Sequence, residues 1–435
     1  MRKILRNILF TILSLYLVSA APAVAMERSN PKEALSDSTL RIDYSLSGNA
    51  QRQGIAFIEA RKFAGWYGRI THQDSLALRG NGQLVMKDAE SGKTLFEQSF
   101  STLFQEWLTT EEATRLTKSM EYVALMPMPR KEVAVTIKLL DIKGNVTAEL
   151  THRINPGDIL IRPVSAPVGE VRKLHRATAK GISQPIDIAF VAEGYKADEM
   201  DKFYAKAQRA AQEILSYEPF KGYSDRFNFV AIGSPSEDSG VSVPREGRWM
   251  NTAVGSHFDT FYSDRYLTTP NVRRLYDVIG NAPCEHVIIL ANTDVYGGGG
   301  IYNSYLLTTT GHASFLPVVV HEFGHSFAAL ADEYFYDDQY VNMYDPKIEP
   351  WEQNLTTLVD FGSKWKDMLP KGTPVPTPAP KGLNEIGIGV YEGGGYMSKG
   401  VFRPSPDCRM RTNSAREFCP VCRRAIERLI KFYTE

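Results

Sequence analysis

The chain has 435 residues and sets 50 Lys and Arg against 50 Asp and Glu, so no net field draws it to nucleic acid or to an anionic membrane surface. Its length exceeds what one hydrophobic core usually supports, and two domains are expected.

Arg2, Lys3 and Arg6 open the sequence, an apolar run fills residues 8–18, and Ala23-Val24-Ala25 offers a small-residue cleavage site. This is the pattern of a secretory signal peptide over residues 1–25. The apolar run is short for a bilayer span, no later segment is long and apolar enough to make one, and no cysteine follows it for lipid attachment. The expectation is an exported protein, periplasmic, cell-surface or extracellular, that begins near Met26 and has no stable membrane span.

Residues 26–165 are expected to form a β-sandwich. Leu40, Ile42, Tyr44 and Leu46 alternate with Arg41, Asp43 and Ser45, the period of a half-buried strand. Residues 83–86 and 94–100 flank Glu90-Ser91-Gly92-Lys93, and residues 133–142 lead through Lys143-Gly144-Asn145 into 146–150, so two hairpins are expected.

Pro163 and Pro167 mark a boundary, after which residues 166–435 alternate strands with helices, as in an α/β domain. Strands are expected at 186–192, 227–232 and 286–291. A helix over 198–215 carries Met200, Phe203, Ala207, Ala210, Ala211, Ile214 and Leu215 at helical spacing. The proline-rich stretch 371–381 reads as a loop within this domain.

Within that domain, His321-Glu322-Phe323-Gly324-His325 follows an apolar run over 315–320, with Pro317 suited to the first turn of a helix. Helix positions four apart lie about 40° apart around the axis, so His321 and His325 can reach one Zn2+ ion. Glu322, about a quarter turn away, can serve as general base toward a zinc-activated water. The alternative is a helix with two surface histidines and an unrelated glutamate. The apolar face of Val318, Phe323, Phe327 and Leu330, the export signal and the acidic residues just downstream all weigh against it.

For a third metal ligand the candidates are Asp332 and Glu333. Continued helically, Asp332 lies within about 20° of the histidine stripe and Glu333 about 80° away, which favours Asp332. An unbroken helix would carry Asp332 about 10 Å along the axis, so the chain must turn soon after Leu330 for either acid to coordinate.

The run Tyr296-Gly297-Gly298-Gly299-Gly300 lacks the lysine of a phosphate loop. With residues 301–309 it forms either an edge strand for an extended peptide or a flexible turn. His286 and His312 read as structural. Cys284, Cys408, Cys419 and Cys422 are an even set in an exported chain, which favours disulfides. Cys419-Pro420-Val421-Cys422 also has the spacing of half a zinc motif, but no fourth ligand stands near Cys408 in the sequence.

The stretch His321-Glu-Phe-Gly-His-Ser-Phe-Ala-Ala-Leu-Ala-Asp-Glu-Tyr334 resembles the signature of the IgA-peptidase family of bacterial zinc metallopeptidases. Residues 191–195, 236–244 around Gly240, 296–300 and 400–404 are similar to that family in the same order, so the resemblance covers nearly everything after about residue 185. The β-rich amino-terminal region resembles the accessory domain that some members carry.

The resemblance implies a metzincin-like zinc metallopeptidase domain, with one catalytic Zn2+ and a methionine turn beneath it, for which Met410 is the best match. The sequence departs from the better-known metzincin spacing, because Ala328 and Ala331 hold the places of its helix-ending glycine and third ligand. The expected activity is that of a secreted metalloendopeptidase acting on a peptide or protein, a host glycoprotein among the candidates. IgA specificity does not follow from it. Two rivals are a glycoprotein-binding or adhesion module with a vestigial metal site, against which the intact His-Glu-His set argues, and a zinc amidase acting on a non-protein amide.

Overall fold

A computed structural model describes residues 31–164, 166–336, 343–379 and 387–435. The proposed signal peptide and Met26 lie outside the described residues, as does the later part of the proline-rich loop.

The amino-terminal region runs α1 (Pro31–Ala34), β1 (Leu35–Gly48), β2 (Gln53–Ala64), β3 (Gly82–Asp88), β4 (Thr94–Phe100), α2 (Leu103–Trp107), β5 (Lys118–Pro129), β6 (Val133–Leu140), β7 (Val146–Ile154) and β8 (Arg162–Pro163). These strands make two four-stranded sheets, ordered β5-β1-β2-β8 and β4-β3-β6-β7. Leu40, Ile42, Tyr44 and Leu46 of β1 share one core with Leu84 and Met86 of β3 and Val135, Ile137 and Leu139 of β6. Both expected hairpins are present, as the antiparallel pairs β3/β4 and β6/β7.

One expectation for this region changes. β1 is not half-exposed, because Arg41 and Asp43 on its polar side are fully buried. They are sheltered by pairing with the second half of the chain. Arg41 Nε lies 2.6 Å from Asp43 Oδ1 and Arg41 Nη1 lies 2.6 Å from Asp277 Oδ1, while Arg273 Nε lies 2.9 Å from Asp43 Oδ2.

The rest of the chain runs β9 (Val171–His175), β10 (Ile186–Glu193), α3 (Met200–Ile214), β11 (Phe227–Ile232), α4 (Val272–Ile279), β12 (His286–Ala291), β13 (Gly298–Ile301), β14 (Tyr305–Thr309), α5 (Phe315–Ala328), β15 (Tyr391–Gly394), β16 (Met397–Arg403) and α6 (Pro420–Thr434). Six strands form a mixed sheet ordered β13-β14-β12-β10-β11-β9. Its four central strands are parallel and both edges antiparallel.

Every residue of β10 and β12 is buried, as continuous apolar strands covered on both faces must be. On one face α3, α5 and α6 share a core with Ile188, Phe190, Ile288 and Leu290. On the other, α4 packs on Val191, Ile232 and Ile289, and Val123 of β5 joins that cluster, so the two halves of the chain meet there. Among the described residues no helix is long and apolar enough to cross a membrane.

Candidate metal centre

Helix α5 begins with Pro317 in its first turn and ends at Ala328. Ala329 then takes φ 50°. Its N–H donates to His325 O at 2.9 Å, and Leu330 N–H donates to Gly324 O at 3.1 Å, the paired bonds of a left-handed helix cap. The chain therefore turns one residue earlier than the sequence requires, at an alanine.

Past the cap, the backbone is held on several sides. Asn354 Oδ1 accepts from Ala331 N–H at 2.8 Å and Asn354 Nδ2 donates to Ala331 O at 2.8 Å. Gly395 N–H donates to Asp332 O, and Glu333 N–H donates to Met410 O, each at 2.8 Å.

This turn brings the Asp332 carboxylate back to the histidines. Asp332 Oδ1 lies 3.0 Å from His321 Nε2 and 3.2 Å from His325 Nε2, and the two Nε2 atoms are 3.1 Å apart. His321 Nδ1 lies 2.9 Å from Arg409 O, and His325 Nδ1 lies 2.5 Å from Leu330 O. A ring nitrogen facing a carbonyl must be its protonated one, so each Nε2 presents a lone pair to the other and to the carboxylate. Three electron-rich atoms facing each other this closely call for a shared cation.

Burial disfavours charge on His325, yet Asp332 and Glu322 raise it to about 9. Asp332 is held well below the usual carboxylate range by the two imidazoles, against the opposing effect of its own burial. Burial raises the Glu322 carboxyl above its ordinary value, while the two histidines pull it down.

The glycine run explains how α5 sits so close to the sheet. A Cβ on Gly300 would lie 2.5 Å from Glu322 O and 2.9 Å from His325 Cβ, and one on Gly298 would lie 3.0 Å from Glu322 Oε1. Gly297 and Gly299 face the other way, toward Phe258 and Tyr266. The segment is a strand at the edge of the sheet, with Tyr266 bridging its first residue, Gly298. Gly324, between the histidines, has the same role below the helix. A Cβ there would lie 2.6 Å from the sulfur of the fully buried Met410.

His321, Glu322, His325 and Asp332 all line a cavity of about 710 Å3. Its wall includes Glu106 of α2 in the amino-terminal region, which accepts a hydrogen bond from the Tyr266 hydroxyl. Sequence reasoning missed Glu106 and also Tyr396, whose hydroxyl donates to Asp332 Oδ2 at 2.6 Å and accepts from Tyr334 OH at 3.0 Å. Tyr396 follows the glycines of the β15/β16 turn, and nothing in its spacing ties it to Asp332.

Glu333 points away from the histidines, into a second cluster with Cys408, Cys419 and Cys422. The expected disulfides are absent and all four cysteines are free. Cys408 Sγ and Cys422 Sγ are 3.8 Å apart, against about 2.05 Å for a bond. The reason is that the three sulfurs stand around the Glu333 carboxylate rather than pairing. Cys284 lies elsewhere, its sulfur 3.7 Å from His286 O. His286 is buried between Phe327 and Tyr433, and His312 packs on Tyr296.

Comparison with known families assigns both halves of the chain. Residues 176–386 and 382–430 match the family model described as IgA Peptidase M64, and residues 31–151 match the one described as Peptidase M64 N-terminus. No curated protein matches the chain. The chain belongs to the IgA peptidase M64 family. The family implies a metallopeptidase, with a peptide or protein as substrate and a metal ion in the site. Two imidazole nitrogens and a carboxylate oxygen converging within 3.2 Å of one another fit such an ion.

Proposed function

We propose that this protein is an exported zinc endopeptidase, with a metzincin-like catalytic domain behind an accessory β-sandwich. In this reading His321, His325 and Asp332 hold one catalytic Zn2+ and Glu322 is the general base. The observation that carries it is the convergence of His321 Nε2, His325 Nε2 and Asp332 Oδ1, with both Nδ1 atoms committed to backbone carbonyls. Three protein ligands leave a position open, which distinguishes a catalytic zinc site from a structural one.

Zinc held there supplies Lewis acidity to the scissile carbonyl and to the attacking water. Glu322 accepts the water's proton on its carboxylate and returns it to the departing amine nitrogen. The absence of a side chain at Gly298 leaves room for the Glu322 carboxylate beside the edge strand. Tyr396 fixes the Asp332 carboxylate through Oδ2, leaving Oδ1 toward the histidines. Met410, beneath Gly324, takes the place of the methionine turn.

The test is mass spectrometry of a peptide-library digest, run on the protein as purified, after chelation and after zinc is restored. The expected result is internal peptide-bond cleavage that chelation abolishes and zinc restores. An adhesion module, or an amidase confined to non-peptide amides, would leave the library intact.

A further inference from the structure

The histidine site is not the only metal-ligating cluster among the described residues. A carboxylate oxygen of Glu333 and the sulfurs of Cys408, Cys419 and Cys422 all lie within 4.8 Å of one another. All four residues are buried, with Glu333 and Cys422 wholly inaccessible.

The spacings can be compared with those of a tetrahedral zinc site. With Zn–S at about 2.3 Å and Zn–O at about 2.0 Å, sulfurs sit about 3.8 Å apart and a sulfur and an oxygen about 3.5 Å apart. Here the Cys408 and Cys422 sulfurs are 3.8 Å apart, and Glu333 Oε1 lies 3.1 Å from Cys422 Sγ and 4.0 Å from Cys419 Sγ.

The surroundings suit thiolates. Cys408 Sγ accepts backbone N–H bonds from Cys419 at 3.2 Å and Met410 at 3.5 Å. Cys419 is the N-cap of the 15-residue helix α6 and Cys422 lies in its first turn, where the helix dipole favours negative charge. Glu333 Oε2 is buried without a hydrogen-bond partner, although a buried carboxylate oxygen needs a proton donor or a cation.

From this geometry we propose that Glu333, Cys408, Cys419 and Cys422 form a second, structural zinc site. Cys419-Pro-Val-Cys422 supplies one half of it. Cys408 is the third ligand and Glu333, 75 residues earlier in the chain, is the fourth. The closed set of four protein ligands leaves no position for substrate, so its work is mechanical. Glu333 is the neighbour of Asp332, and Cys408 is the neighbour of Arg409, whose carbonyl faces His321 Nδ1. The second ion therefore clamps both chain segments that orient the histidine site. This inference does not rest on peptidase activity.

The test uses the full chain with His321 and His325 both changed to alanine, which removes the first site and leaves the cysteines untouched. The expected result is one zinc per chain, with X-ray absorption giving a Zn–S distance of about 2.3 Å. Wild type should hold two zinc ions per chain. The inference is overturned if the double variant holds no zinc, if its zinc has only nitrogen and oxygen neighbours, or if wild type contains a disulfide among these three cysteines. A second variant, Glu333→Gln, should lower zinc affinity at the histidine site by roughly tenfold, the usual effect of losing a group that orients a ligand. Unchanged affinity there would sink the clamping role.

Discussion

Ala329 holds a left-handed conformation at φ 50°, which costs an alanine roughly 1–2 kcal/mol relative to a right-handed helical residue. The two cap bonds and near-complete burial keep it there. A helix continued seven residues past His325 would bring Asp332 back to the histidine stripe, but α5 stops at Ala328. Asp332 reaches the histidines because the chain reverses, which no helical wheel contains.

His286 gives a second residue-scale consequence. Burial lowers it to about 3, while in the unfolded chain it titrates near 6.5. The folded state thus prefers the neutral ring, and the stability this contributes is complete above about pH 6.5 and is lost as pH falls toward 3. The loss approaches about 1.4 kcal/mol per pH unit within that window. Urea unfolding of wild type and His286→Phe between pH 7 and 5 measures it. The variant should show the shallower pH dependence, and equal slopes would mean that His286 is not neutral in the fold.

At the scale of elements, the approach of α5 to β13 is set by glycines. A Cβ at Gly300 would meet backbone, Glu322 O at 2.5 Å, whereas one at Gly298 would meet the movable Glu322 side chain at 3.0 Å. Gly300→Ala must therefore displace the helix that carries both histidines. Misplacement by about 1 Å can cost on the order of 100-fold in rate. Peptidase assays on the two variants should show the large loss for Gly300→Ala and a smaller one for Gly298→Ala. The reverse order would contradict this account of the glycine run.

The elements that could be read from sequence are those with a clean period or a turn. The hairpins β3/β4 and β6/β7 have Gly92 and Gly144 at positive φ in their turns, and β10, β11 and β12 are apolar runs. Strand β5 could not be read, because Met126-Pro127-Met128-Pro129 argues against a strand. It is tolerated because β5 lies at a sheet edge. Strand β2 alternates in burial only over its last four residues, Arg61 to Ala64. The histidine pair was legible because both residues lie on one helix. The cysteine cluster was not, because its fourth member is distant in sequence and the even cysteine count pointed to disulfides instead.

At the scale of the whole molecule, the two halves are joined by buried charge. Asp43 accepts from Arg41 and Arg273, while Arg41 and Arg61 both reach Asp277. Asp43→Ala leaves the wholly buried Arg41 without one of its two carboxylate partners, and breaking one side of a buried pair costs about 3–5 kcal/mol. Thermal unfolding should show a clear drop in Tm. An unchanged Tm would mean that the Asp43 pairs do not stabilise the junction of the halves. Because Glu106 lines the same cavity as the histidines, the amino-terminal half also forms part of the cleft.

The proposed peptidase is tested most directly by Glu322→Gln, with zinc content and turnover of one cleaved peptide measured beside wild type. Glutamine keeps the shape of Glu322 and removes its capacity to accept a proton, while His321, His325 and Asp332 are untouched. Zinc content should be unchanged and turnover at least roughly 100-fold lower. Turnover close to that of wild type, with zinc in place, would contradict the general-base role.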